Sequence, residues 1–131
     1  MRASNTYLYF AGRCREAMTF YGQCFGAQPS FTAFNQVPPD LVSDPAHIMH
    51  SELHVTGMAL MAGDAPPDMG WTLGRNFSVS LSCASIEEMD RLFTALGEGG
   101  KVTTPIYDAF WGDRIGLLTD RFGVGWMLSF R

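Results

Sequence analysis

His50, Glu52 and His54 stand at alternate positions in the string His50-Ser51-Glu52-Leu53-His54. On a β-strand, side chains two apart share one face and lie about 6.5–7 Å apart. Two imidazoles flanking a carboxylate have two chemical uses. As a ligand set they would hold a divalent ion such as zinc, with a fourth position left open. As an acid/base set, His50 and Glu52 would take and return protons near neutral pH. A plainer use is as the polar lining of a wet cavity, with His54 at the exposed end of a hairpin.

A second group surrounds two aromatic rings. Asp108, Asp113 and Arg114 bracket Phe110 and Trp111. A carboxylate beside aromatic groups can have a raised pKa and act as a base; the other reading is a set of loop charges in water. Phe110 and Trp111 would cap a ligand or pack in a subunit interface, where aromatics concentrate. Trp71, in a segment with Pro66, Pro67, Gly70 and Gly74, reads as a lid or a loop anchor. Several chemistries leave no trace. There is no Gly-rich phosphate loop, no Ser or Cys in a nucleophile-elbow context, and no Gly-rich strand-to-helix turn of the sort a methyltransferase's cofactor would use.

The elements that must hold these residues repeat. Asn5–Ala11 reads as a strand, Cys14–Phe25 as a helix ended by Gly26, and Gln28–Phe34 as a strand before a Pro-rich loop through Pro45. His47–Val55 and Met58–Ala62 form a hairpin around Thr56-Gly57. The order then restarts. Asn76–Ser82 alternates apolar and polar, and Ser85 caps a helix with Glu88 as its capping-box partner. That helix runs to about Leu96, where Gly97, Gly99 and Gly100 stop it. Strands follow near Lys101–Tyr107, Arg114–Thr119 and Val124–Phe130, with Asp120–Gly123 as the tight turn between the last two. In register with the repeat, Asn5 falls on Asn76, Phe10 on Leu81, Gly26 on Gly97, and Gly57–Met61 on Gly123–Met127.

Alternation assigns faces. Phe77, Val79 and Leu81 should meet the second helix, leaving Asn76, Ser78 and Ser80 on the open face. By the repeat, Asn5, Tyr7 and Tyr9 take the open face of the first sheet. Leu60 and Trp126 should face the helices, so Met61 and Met127 face away.

The totals exclude whole classes. With 131 residues, 47% hydrophobic and only 17% charged, the chain can bury a core without disulfides. A net charge of −4 and the absence of a basic run argue against a nucleic-acid partner. No apolar run approaches the roughly 18 residues of a membrane span. Cys14, Cys24 and Cys83 form no CxxC pair and read as small core residues in a reducing compartment. The polar start of the chain carries no signal-like apolar stretch, so the cytoplasm is the expected location.

Several strings resemble the PhnB-like branch of the vicinal oxygen chelate (glyoxalase/bleomycin-resistance/dioxygenase) superfamily. They are Tyr7–Gly12 with Glu16-Ala17 and Phe20-Tyr21, Ile48-Met49-His50, Leu60–Asp64, Phe110-Trp111-Gly112 and Thr119–Met127. The resemblance implies an α+β fold, with two βαβββ modules forming a glyoxalase-like cleft in a single domain over residues 1–131. Module 1 would cover about 5–62, a linker 63–75 and module 2 about 76–131. It also implies a homodimer and a small-molecule ligand.

In metal-dependent relatives, His, Gln or Glu on the first and fourth strands of each module bind a divalent ion. The matching positions here are Asn5, Met61, Asn76 and Met127, or Thr6 and Phe77 on the first strands if the register slips by one. Amides and thioethers bring no negative charge to such an ion, so no metal or other cofactor is expected there. A divalent metal on His50, Glu52 and His54 is the alternative. The expected ligand-binding set is Asn5, Tyr7, Tyr9, His50, Glu52, Met61, Asn76, Ser78, Trp111 and Met127, with His50 and Glu52 as catalytic candidates. Three readings of function stay open: a binder of a small organic molecule, a lyase, isomerase or dioxygenase-like enzyme using His50 and Glu52, and an antibiotic-sequestering resistance protein.

Overall fold

The computed structural model describes residues 1–33, 47–65 and 72–131. The Pro-rich loop and Trp71 lie outside these. The chain forms two compact units, Met1–Trp71 and Thr72–Arg131.

The first unit runs β1 (Thr6–Phe10), α1 (Cys14–Phe25), β2 (Ser30–Ala33), β3 (Ile48–Val55) and β4 (Met58–Asp64). Its sheet has the order β1-β4-β3-β2, with β1 parallel to β4 and the other pairs antiparallel. Helix α1 turns Cys14, Ala17, Met18, Tyr21 and Cys24 inward, at the spacing of one helical face. They pack against β3 and β4, whose Leu53, Leu60 and Ala62 are fully buried. Each large side chain so buried contributes about 1.5–3 kcal/mol.

Both ends of α1 are finished chemically. Gly26 takes the left-handed conformation that closes the C-terminus, at φ 71°. At the other end Arg13 provides no side-chain cap. Buried Asp64, at the end of β4, accepts from the Cys14 N–H at 3.0 Å and the Ile48 N–H at 2.9 Å. One carboxylate thereby ties the helix start to two strands and satisfies an otherwise unpaired amide. Burial, with Asp64 nearby, pushes the Cys14 thiol up to about 12, so it stays an unreactive thiol.

The second unit repeats the plan: β5 (Val79–Ser82), α2 (Ile86–Gly97), β6 (Lys101–Asp108), β7 (Arg114–Thr119) and β8 (Gly125–Phe130). Its order is β5-β8-β7-β6, again with the first pair parallel. Ser85 caps α2, its Oγ accepting from the Glu88 N–H at 3.0 Å. The Glu88 carboxylate returns to the N–H of Ala84, one residue before the cap. Met89, Leu92 and Leu96 meet β7 and β8, where Leu118, Trp126 and Leu128 are buried.

Three local expectations need correction. The second unit's first strand begins at Val79, so Asn76, Phe77 and Ser78 precede it. Phe77, expected against α2, is instead 67% exposed. Pairing, not alternation, sets the start of the strand: β5 enters the ladder opposite Trp126, and the apolar–polar rhythm upstream of Val79 has no partner strand. Asn5 likewise lies one residue before β1. Gly97 is also no counterpart of Gly26, because it is the last residue of α2 and the cap is Glu98 in an extended conformation. Among the described residues, no helix is long and apolar enough to cross a membrane.

Candidate functional site

Ladder register decides which side chains of the first sheet share a face. Tyr7 stands beside Met61, Met61 beside Glu52, and Glu52 beside Ser30, so these four form one row across the sheet. Tyr9 beside Gly63, and His50 beside Thr32, belong to the adjacent row. Leu8, Leu60, Leu53 and Ser51 alternate with them on the helix-covered face, where all four are buried. The Ser51 hydroxyl has no hydrogen-bond partner there. The open face of the first sheet is therefore lined by two tyrosines, two histidines, a glutamate and a thioether, all partly exposed.

These groups are joined. Nε2 of His50 and Nε2 of His54 each lie 2.8 Å from a different oxygen of Glu52. The Tyr7 hydroxyl lies 3.0 Å from Nδ1 of His50, and the two rings stack with centroids 5.6 Å apart. Tyr9 sits against Tyr7 at 5.0 Å. Proton roles follow from the chemistry. A carboxylate only accepts, so both Nε2 atoms carry protons and donate to it. Neutral His50 then has a bare Nδ1, which accepts from the Tyr7 hydroxyl. The result is a chain of hydrogen bonds, Tyr7 to His50 to Glu52, with His54 donating to Glu52 from the other side.

Hydrogen bonds from His50, then from His54, hold the Glu52 carboxyl below its ordinary range. Burial, then the neighbouring Tyr9, pushes the Tyr7 phenol up, so it remains a donor well into alkaline solution. A carboxyl lowered in the folded state adds stability above its unfolded pKa and loses it as pH falls through the folded value. Acidification past the usual glutamate range, about pH 4.3, should therefore release both imidazoles. Glu52→Gln is expected to flatten that part of a thermal-melt-against-pH curve. Superimposable acid limbs for the two proteins would refute this.

The positions that match the superfamily's metal ligands are differently furnished. In the first unit Met61 lies on the open face beside Tyr7 and Glu52, and Asn5 precedes β1. In the second, Met127 lies beside Ser80 and Leu117, while Asn76 precedes β5. Thioethers and amides do not fit an ion that prefers carboxylate or imidazole. Among the described residues, no three His, Cys, Asp or Glu side chains are grouped to hold a metal. His50 and His54 instead point an N–H each at Glu52.

The aromatic loop of the second unit is internally paired. Asp113 accepts from the Trp111 indole at 2.7 Å and lies 2.9 Å from Arg131. Asp108 pairs with Arg114 at 2.9 Å. Each of these carboxylates is held in an ion pair. Ser78 and Asn76 are exposed and belong to the second unit, as do Trp111 and Met127. Within the first unit, the structure joins Tyr7, His50, Glu52 and His54 into one hydrogen-bonded chain, with Tyr9 and Met61 alongside. Sequence reasoning placed these side chains on one face but did not see that Tyr7 reaches His50 across 43 residues. It also ended the strand at Ala62 and put Gly63 in the linker, whereas β4 runs on to Asp64 and the missing side chain of Gly63 makes room for that contact.

Comparison with known proteins agrees with this architecture. Residues 3–129 match the family model described as 3-demethylubiquinone-9 3-methyltransferase. The crystal structure of protein PA1353 from Pseudomonas aeruginosa is similar at 37% identity, with 98% of each chain covered and a TM-score of 0.84. The PhnB protein from Bacillus cereus is similar at 26% identity, covering 99% of this chain and 100% of that one, with a TM-score of 0.80. A glyoxalase/bleomycin resistance protein/dioxygenase family enzyme from Burkholderia phytofirmans shares the fold at 18% identity, with 98% of each chain covered and a TM-score of 0.66. With the repeated βαβββ order and a match across nearly its whole length, this chain belongs to the PhnB-like family described as 3-demethylubiquinone-9 3-methyltransferase, on a glyoxalase-like fold.

Proposed function

We propose that this chain binds a small, partly apolar organic molecule on the open face of its first sheet, without the superfamily's divalent ion. The observation that supports this reading best is the composition of that face. Tyr7, Tyr9 and Met61 offer flat and polarizable apolar surface beside a line of hydrogen-bonding groups, Tyr7–His50–Glu52–His54. Ligand sites combine these two features, apolar walls for affinity and a few placed polar groups for orientation. The donor chemistry of Asn5, Met61, Asn76 and Met127 supports the metal-free part. A homodimer belongs to the same reading, and sedimentation velocity checks it.

The test is thermal stabilisation by two probes. One is a short-chain hydroxybenzoquinone, the substrate class in the family's description; the other is phenylacetone. Ligand at about 100 times its Kd adds about 2.7 kcal/mol to the folded state. We expect a saturable shift of the melting temperature that chelator leaves in place and that Tyr7→Ala weakens at least tenfold in apparent Kd. Elemental analysis of untagged protein should find no stoichiometric metal. A shift abolished by chelator would overturn the metal-free part, and no shift with either probe would overturn the binding reading. The family's description names a methyl transfer, so the quinone is also incubated with S-adenosylmethionine. A methylated product would replace binding by methyl transfer as the function.

A further inference from the structure

We propose that Tyr7 and His50 form a metal-independent acid/base pair that enolises a ketone bound on the open face of the first sheet. This rests on the binding reading above and names its substrate class, a carbonyl compound with an acidic α-hydrogen.

The argument starts from the tautomer. Glu52 takes the proton-bearing Nε2 of His50 at 2.8 Å, which leaves Nδ1 as the basic nitrogen. That nitrogen points at the Tyr7 hydroxyl, 3.0 Å away. An acceptor and a donor this close, on a partly exposed face, suit a ligand that presents an oxygen and an adjacent C–H. A ketone does so: its carbonyl oxygen takes over the Tyr7 O–H from Nδ1, and the lone pair so freed meets the hydrogen on its α-carbon.

The step then balances. The α C–H bond breaks and its proton moves to Nδ1, making His50 an imidazolium. The bonding electron pair passes into the carbonyl group, giving an enolate whose oxygen is held by the Tyr7 O–H. Glu52, ionised and bonded to Nε2, opposes the new positive charge directly. The reverse transfer, to the same carbon or to the far end of a conjugated system, regenerates His50 and completes an exchange or an isomerisation. No oxidant, reductant or second reactant is consumed. A developing oxyanion beside a fixed donor, together with a placed base, is the arrangement general acid–base catalysis requires.

The neighbours of His50 are compatible with this. From β1 it meets Tyr7, whose ring also contacts Tyr9, and on its own strand it meets Glu52, which also holds His54. The open-face neighbours from β2 and β4, namely Ser30, Thr32, Met61 and Gly63, carry no charge. In this step Glu52 acts through His50, whose Nε2 lies 2.8 Å from it, so it is a positioning residue. His54 donates to the second oxygen of Glu52 at 2.8 Å and fixes the carboxylate's orientation.

The experiment is hydrogen–deuterium exchange at the α-carbon of phenylacetone in D₂O, followed by proton NMR on full-length protein. Binding of the same ketone is measured in parallel by thermal shift. We expect exchange on the order of a hundredfold or more above buffer. Tyr7→Phe and His50→Gln should remove that acceleration while the proteins stay folded. Glu52→Gln should lower the rate with little change in KM and should displace the pH–rate profile, which a purely structural role would not do. Binding without accelerated exchange would overturn the acid/base proposal and leave the binding reading standing. Absence of ketone binding would overturn the enolisation proposal, and only absence of quinone binding as well would overturn the binding reading. Full exchange in Tyr7→Phe and His50→Gln would place the chemistry elsewhere and overturn the assignment of these residues.

Discussion

Asp120→Ala is expected to lower the unfolding free energy by about 3–5 kcal/mol, a large share of the roughly 5–15 kcal/mol that holds a domain of this size together. Asp120 is 3% exposed in the turn between β7 and β8. Its Oδ1 accepts from the Phe122 N–H at 2.8 Å and the Val124 N–H at 3.1 Å, and its Oδ2 accepts from the Trp126 indole at 2.8 Å. Trp126 is fully buried. Removing the carboxylate takes this acceptor away from all three donors, two of them on the turn that sets the register of β7 against β8. A stranded buried donor costs about 1–3 kcal/mol, which is more than the bond itself contributes.

Urea unfolding of three variants separates the parts. Asp120→Asn keeps one carbonyl oxygen but cannot satisfy both the turn and the indole, so it should fall between wild type and alanine. Trp126→Phe removes the indole donor at the cost of some packing. Combined with Asp120→Ala, it should lose less than the sum of the single changes, because the shared bond is counted once. A loss below about 1 kcal/mol for Asp120→Ala would show that this carboxylate is not what anchors the turn, and strict additivity in the double variant would show that it is not coupled to the Trp126 indole.

How much of this could be read from the sequence depends on what sets each feature. Helix α1 was legible to the residue, because the apolar spacing from Cys14 to Phe25 and the glycine after it are local signals. The faces of β4 and β8 were legible too. Leu60 and Trp126 point into the core, and Met61 and Met127 point out, as period-two alternation requires. The entry points of β1 and β5 were not legible. Asn5 and Asn76 continue a plausible pattern, yet a strand exists only where a partner offers hydrogen bonds, and those partners lie dozens of residues away. The same reason hid the Tyr7–His50 contact. It depends on the register of β1 on β4 and of β4 on β3, and a slip of one residue would send Tyr7 to the core side. Asp64 was hidden for another reason: a carboxylate after a strand looks like a loop charge, and only the tertiary structure shows that it caps a helix begun 50 residues earlier. The chemistry of the candidate site was therefore visible as a list of groups, and its wiring was not.

Gly63→Ala carries that wiring to its sharpest test. Gly63 lies on β4, paired with Tyr9, at the centre of the open face. A methyl group there would fall 2.8 Å from the Met49 carbonyl oxygen and 2.9 Å from the Tyr7 hydroxyl. The first contact is with backbone of the neighbouring strand and cannot be relieved by a rotamer change. The second can, but only by moving the hydroxyl from its position 3.0 Å from His50. The variant is thus expected to lose about 2–3 kcal/mol of stability from overpacking. It should also lose the ketone exchange as completely as Tyr7→Phe does, although every proposed acid, base and positioning group is still present. Met61→Ala, which opens space on the same row, provides the contrast. It should weaken ligand binding by removing apolar contact while leaving the rate of exchange at saturating ketone nearly unchanged, since Tyr7 and His50 keep their geometry. Exchange that survives Gly63→Ala at the wild-type rate would mean that Tyr7 need not rest against His50, and the acid/base pairing would fall with that result.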